Sequence, residues 1–339
     1  MRRVTLASLA ASLVLVTAAA AVPALGPEPR AGTARTTIFY YPWWGTPAHD
    51  GDFVHWSQNG ALPPDAIASA FYPARGPYSS RDGRVLKAHM RDIRRAGVDQ
   101  LATSWWGWGS VEDRHLPAIL GAARAARLDV AVHIEPYEGR TPASVAADIA
   151  HLRELGIVDF YVYGAEATPA AEWANATAAI DPVARVFAQT GLAGFAAAGG
   201  FDGLYTYDIL VYGGPRFARL CEQARRKQLL CAPSVGPGFN ALRAAGDLRL
   251  KPRRQGRTYD GMWRAAIGAG ADIVTVTSYN EWHEGTQIEP ARARLGFGGY
   301  EGAWGLSGAE AEYAYVDRTA YWTQRFNRAL SRGAGGTRA

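Results

Sequence analysis

From residue 37 onward, apolar runs alternate with segments whose apolar positions recur at helical spacing. The runs are TIFYYPWW (37–44), QLATSWWG (100–107), DVAVHIEPY (129–137), DFYVYG (159–164), ARVFAQT (184–190), DGLYTYD (202–208), QLLCAPSVG (228–236) and ADIVTVTSYN (271–280). Most are apolar throughout rather than alternating, as parallel strands covered on both faces are. Between several of them lie helix signals. DGRVLKAHMRDIRRAG stops at Gly97, and TPASVAADIAHLRELG has Thr141 as N-cap, Pro142 at the first helical position and Gly156 at its end. TYDGMWRAAIGAGA precedes the last run. Eight strands alternating with helices over roughly 290 residues predict an α/β chain folded as a single (β/α)8 TIM barrel. An open doubly wound sheet is the alternative, weakened because no Gly-rich phosphate loop follows the first strand.

The first residues read as an export signal. Arg2 and Arg3 precede the uncharged VTLASLAASLVLVTAAAAVPALGP, and small residues at Ala19/Ala21 or Val22/Ala24 suit signal peptidase. The run is nearly long enough to span a bilayer, so an uncleaved anchor is the competing reading, but its Ala-rich end is broken by Pro23. The expected organisation is a signal peptide (1–24), a catalytic barrel (36–331) and a disordered tail (332–339). The mature protein is expected to be a secreted, extracellular or cell-envelope-associated monomer with no other membrane contact.

Composition changes this picture little. The chain is 48% hydrophobic and 20% charged with eleven Trp, and its formal charge is +5. Its only lysines are Lys87, Lys227 and Lys251, and no Lys/Arg cluster is interleaved with aromatics, so no nucleic-acid partner is indicated. Cys221 and Cys231 fit a disulfide or two small core residues equally well, and their spacing suits neither a zinc knuckle nor a redox motif.

In a barrel, chemistry gathers at the C-terminal ends of the strands. Those ends carry Tyr40, Tyr41, Trp43 and Trp44, then Trp105, Trp106 and Trp108, then His133, Glu135 and Tyr137. Tyr161, Tyr163, Tyr205 and Tyr207 follow, and the last run leads into Asn280, Glu281, Trp282, His283 and Glu284. Aromatic faces stack on sugar rings while Glu, Asn, Tyr and His bind hydroxyls, so the list describes a carbohydrate cleft. Barrel packing is the bland reading of each aromatic singly. Glu281 and Glu284, within TSYNEWHEGTQIEP, read either as solvated loop carboxylates or as a glycosidase acid/base pair. Glu135 would add a third carboxylate that keeps one partner protonated. Glu289, before Pro290, reads as structural. His133 and Glu135 with His283 and Glu284 offer metal-type donors, but no His pair stands at helical spacing, so neither metal nor cofactor is expected.

YYPWWGTPAHDGDFVHW, HIEPYEGR, FDGLYTY, SVGPGF and SYNEWHEGTQIEP together resemble glycoside hydrolase family 99, the endo-α-1,2-mannosidase and endo-α-1,2-mannanase family, over about Thr36 to Ala291. The resemblance implies a metal-independent barrel that cleaves internal α-mannosyl linkages of an oligo- or polysaccharide with retention. It implies that the substrate's own 2-hydroxyl attacks the anomeric carbon through a 1,2-anhydro sugar. Glu281 would take the 2-hydroxyl proton; Glu284 would be the acid for the leaving group and then the base for water. Glu135, His133, Tyr40, Trp106, Tyr207 and Asn280 would contact substrate.

Two departures from the family pattern stand out. SWWGWGS (104–110) has Trp106 where the vertebrate members carry Tyr, which in bacterial members goes with mannose rather than glucose in the adjacent subsite. After SVGPG the chain reads FNALRAAGDLRLKPRRQG instead of the family's acidic and Trp-containing loop. A different α-linked polysaccharide, or a non-catalytic glycan-binding barrel, are therefore the alternatives.

Overall fold

Eight positions around a barrel are filled by parallel strands, and a proline explains why one of them is in two pieces. The computed structural model describes residues 36–335. The strands are β1 (Thr36–Tyr40), β2 (Gln100–Trp105), β3 (Asp129–Ile134), β4 (Asp159–Val162), β5 (Arg185–Gln189) and β6 (Gly203–Tyr205). β7 runs as Leu230–Ala232 and resumes as Ser234–Val235, and β8 is Val274–Val276. Each pairs with its neighbour in order, the first piece of β7 with β6 and the second with β8, while β8 pairs with β1 through Thr36 and Val274. Pro233 between the two pieces has no N–H to donate to a ladder. Every barrel strand falls on one of the eight predicted runs, β1 starting one residue early at Thr36, and stops short of the run's C-terminal end, where the chain leaves the sheet.

The helices that follow the strands are α1 (Gly83–Arg95), α2 (Val111–Ala125), α3 (Pro142–Glu154), α4 (Ala170–Thr177), α5 (Ala193–Ala198), α6 (Gly214–Arg226), α7 (Arg257–Gly268) and α8 (Ala314–Gly335). Local sequence sets their starts. Asp82 accepts from the Arg84 N–H at 2.8 Å, and Ser110 from the Asp113 N–H at 3.1 Å. Thr141 and Ser144 cap each other's backbone, closing α3 where its Pro142 begins. α8 reaches Gly335, so its last turn overlaps the start of the predicted tail. The predicted signal peptide lies outside the described residues.

Side chains alternate across each strand. Phe39, Ala102, Ala131, Tyr161, Phe187 and Tyr205 fill the barrel interior. Ile38, Leu101, Val132, Ile134, Phe160 and Leu204 pack outward against the helices. The barrel aromatics are thus partly core, as the bland reading held, and the site is built from those just above them. Cys221 on α6 and Cys231 on β7 form a disulfide, which ties a helix to the strand after it.

Candidate active site

The segment after β8 forms a closed loop whose hydrogen bonds aim two of its carboxylates into the barrel mouth. The Ser278 N–H donates to the Thr286 carbonyl at 2.9 Å, and the Ile288 N–H donates to the Ser278 carbonyl at 2.9 Å. The Ser278 hydroxyl accepts from the Glu281 N–H at 2.9 Å. Gly285 turns the loop with a φ of 63°, and a Cβ there would lie 3.0 Å from the Asn240 carbonyl. From outside, the Arg253 guanidinium donates to the carbonyls of Gly285 and Gln287 at 2.9 and 2.7 Å while lying over the rings of Phe71, Tyr300 and Tyr315. The FNALRAAGDLRLKPRRQG segment therefore supplies the clamp on the carboxylate loop.

Glu281 is buried and its Oε1 accepts the His283 N–H at 2.9 Å. Burial, then the charges of Glu284 and Glu135, push its carboxyl well above the ordinary range. Glu284 is partly open to the cleft, and burial, with Asp208 and Glu135 nearby, raises it to about 7. Glu135 extends from the end of β3, where its Oε1 accepts the Ser104 hydroxyl at 2.9 Å. Glu281 and Glu284 thus share one water-poor site with a third carboxylate, the arrangement that keeps a proton available near neutral pH.

Tyr207 contributes a hydroxyl and a strained backbone. Its φ is 44°, in the left-handed region, and its peptide is held by the Ser234 hydroxyl at 2.7 Å and the Thr277 hydroxyl at 3.1 Å. Its hydroxyl meets that of Tyr41 and donates to Glu284 Oε2 at 3.5 Å. Its ring stacks on His133 with centroids 5.4 Å apart. Trp106 stands at the mouth, 37% exposed, while Trp105 turns outward and donates to Asp113 at 2.9 Å.

Three of the residues expected to touch substrate do not face the cleft. Tyr40 is the last residue of β1 on its outward face, and its hydroxyl meets His89 Nδ1 at 3.1 Å; Tyr41, one position on, is the residue that reaches Tyr207. Asn280 is fully buried, with its amide engaged by the Tyr41 N–H and carbonyl at 2.7 and 2.8 Å. His133 lies in the barrel below Glu135, with Nε2 against the Tyr205 hydroxyl at 2.8 Å; its Nδ1 is 3.0 Å from Glu135 but out of line for a hydrogen bond. Asp208, beside Glu284, and Ser278 are site residues the sequence did not single out. A carboxylate directly after FDGLYTY was the available signal for the first.

Two neighbouring groups are not poised to exchange a proton near neutral pH. His283 donates through Nε2 to the His55 carbonyl at 2.8 Å, and burial lowers it to about 4, so it is neutral at pH 7. Glu289 is fully buried among Tyr78 (2.7 Å), Trp282 (2.9 Å) and His89 (3.0 Å), with the Arg75 guanidinium 3.6 Å away. Burial would raise its carboxyl, but His89, Arg75 and Tyr78 outweigh it and hold it below the usual range. Among the described residues, no three His, Cys, Asp or Glu side chains gather as a metal site.

The model of glycosyl hydrolase family 99 matches residues 33–328. A glycoprotein endo-α-1,2-mannosidase-like protein of Danio rerio is 34% identical, over 75% of this chain and 70% of the relative. A glycoprotein endo-α-1,2-mannosidase of Xenopus laevis is 32% identical, over 75% and 69%. Among solved structures, the GH99 endo-α-mannosidase of Bacteroides thetaiotaomicron is 30% identical with a TM-score of 0.79, over 88% of this chain and 98% of that one.

Proposed function

The chain belongs to glycosyl hydrolase family 99, and from that premise we propose that this glycoside hydrolase cuts inside α-mannosyl chains at α-1,2-linkages with retention. The observation that carries the reading is the pairing of Glu281 and Glu284 at the mouth of the barrel, with Glu135 opposite and Tyr207 in contact. Glu281 is the deeper carboxylate, and the amides of His283 and Glu284 face it, which supports its ionised form when it takes a proton. Glu284 is the more accessible, and a carboxyl raised to about 7 holds a proton to give at neutral pH.

In the first step Glu281 removes the 2-hydroxyl proton, and the 2-oxygen attacks the anomeric carbon. The glycosidic bond breaks, and Glu284 protonates the departing oxygen. Ionised Glu284 then deprotonates a water that opens the 1,2-anhydro ring at the anomeric carbon, while Glu281 returns its proton to the 2-oxygen. Two inversions give net retention without a carboxylate bonded to the sugar. Digestion of an α-1,2-branched mannan tests the reading. Oligosaccharides should appear from the start; release of mannose alone, or of nothing, would contradict it.

Two further parts of the proposal rest on other residues. Trp106 at the mouth supports a preference for α-mannosyl-1,3-mannose over α-glucosyl-1,3-mannose ends, which matched substrates would test. The Arg2/Arg3 leader supports secretion, and the Cys221–Cys231 bond suits an oxidising compartment. N-terminal sequencing of exported protein should begin near residue 25.

A further inference from the structure

Beside the cleft lies a cavity of about 540 Å³ whose wall carries three cations, Lys251, Arg254 and Arg257, together with Gly213, Gly214 and Thr258. It sits between the chain after β6 and the segment after β7, where this sequence departs from its family. Lys251 is half-buried at the end of a two-stranded hairpin in which it pairs with Phe239, and its ammonium donates to the Ile209 carbonyl. Ile209 follows Asp208, whose charge acts on both Lys251 and Glu284, so Lys251 links the cavity to the chain beside the working pair. Arg249, two residues before Lys251, interacts electrostatically with both Asp208 and Glu284.

The charges of this cavity are under-used. The side chains of Arg254 and Arg257, both exposed, have neither a carboxylate nor another hydrogen-bond partner among the described residues. The ammonium of Lys251 meets a neutral carbonyl, and burial lowers its pKa; Asp208 is the acidic group that acts against that shift. Arg249 is instead paired with Asp247 at 2.7 Å. Three cations around one concave space, two of them unpaired, recognise an anion. The glycine N-cap Gly213 of α6 leaves its part of that wall without a capping side chain to compete.

We propose that this cavity is an accessory subsite for an anionic substituent, a phosphate or a carboxylate, on the glycan whose neutral α-mannosyl linkage is cut next door. The inference rests on the α-mannan reading for the identity of the chain, but not for the binding of the anion. Neutral mannan would fill the cleft alone; a phosphorylated or uronate-bearing glycan would fill both.

Two measurements separate the parts. Inorganic phosphate and glucuronate are titrated at low ionic strength into the wild type and into an Arg254→Ser/Arg257→Ser double variant. Saturable binding that weakens roughly tenfold in the variant is expected; no saturation, or equal affinity in both proteins, overturns the subsite. The tighter of the two probes identifies the substituent. The same proteins are then given neutral and phosphorylated mannan of matched length, with a uronate-bearing mannan as the third arm. The wild type should show a several-fold kcat/KM advantage on an anionic substrate that the double variant loses, with neutral turnover unchanged as the control for folding. An advantage that survives the double substitution overturns the proposal. Anion binding with no mannan cleaved at all would contradict the α-mannosidase reading instead, leaving the subsite standing.

Discussion

Asn280 grips Tyr41 by both ends of its peptide, with Oδ1 accepting the N–H at 2.7 Å and Nδ2 donating to the carbonyl at 2.8 Å. The ends of β8 and β1 are thereby joined directly beneath Glu281. Asn280→Ala leaves two buried backbone groups unpaired, at a cost of about 2–6 kcal/mol. The expected outcome is a lower Tm together with a lower kcat and little change in KM. A residue that bound sugar would instead show its loss in KM with an unchanged Tm.

The pH profile should carry an alkaline limb near pH 7, because the role proposed for Glu284 as acid requires its protonated form and its carboxyl is raised to about 7. Asp208 raises it and the Tyr207 hydrogen bond lowers it. Asp208→Asn should therefore move the limb to lower pH and Tyr207→Phe to higher pH, as read from kcat/KM across the range. The stability consequence has the opposite sign from an ordinary ion pair. A carboxyl with a raised folded pKa destabilises the fold as it ionises, so stability is lost as pH rises between about 4.5 and 7. Glu284→Gln should raise Tm by an amount that grows over that interval and is constant above it.

Glu289 should behave in the reverse way. Its carboxyl is held below the usual range by His89, Arg75 and Tyr78, so its contribution is present at neutral pH and lost as pH falls through its folded value. Removing one partner from a buried ionic cluster costs about 3–5 kcal/mol. Glu289→Ala should lower Tm at pH 7, the opposite of Glu284→Gln. Assayed below its new Tm, it should retain far more turnover than Glu281→Gln or Glu284→Gln.

The barrel was legible because its strands are buried on both faces and therefore read as unbroken apolar runs, and because Thr141, Pro142 and Gly97 mark helix ends by local chemistry. TSYNEWHEGTQIEP was legible as a candidate site because three carboxylates directly follow a buried strand, where they are either solvated loop groups or line the barrel mouth. Which carboxylate does which depends on partners distant in the chain, and Glu289 meets its own at Arg75, Tyr78 and His89. Tyr40 and Tyr41 could not be told apart, since at the last residue of a strand the alternation that assigns faces gives way to the loop. Asn280 and His133 show the same limit for polar groups: a sequence does not reveal whether an amide or imidazole is already satisfied by backbone or by Tyr205. The cavity beside Lys251 was not legible either, because its wall joins two segments separated by almost forty residues.

The Cys221–Cys231 bond closes a short loop between α6 and β7. A loop of this length is worth about 3 kcal/mol in the chain-entropy account. Replacing both cysteines with Ser should lower Tm while leaving kcat/KM unchanged below it, since neither residue approaches the carboxylates. A thermal melt with and without reductant checks the same point in the native chain.

The central claim is that Glu281 and Glu284 together cut internal α-mannosyl linkages with retention. It is tested most directly by following an α-1,2-mannan digest by NMR with the wild type, Glu281→Gln and Glu284→Gln. The wild type should release oligosaccharides whose new reducing ends are first seen as the α-anomer. Each variant should be at least ~10²-fold slower while still binding a mannan fragment. A first-formed β-anomer, or wild-type turnover by either variant, would contradict it.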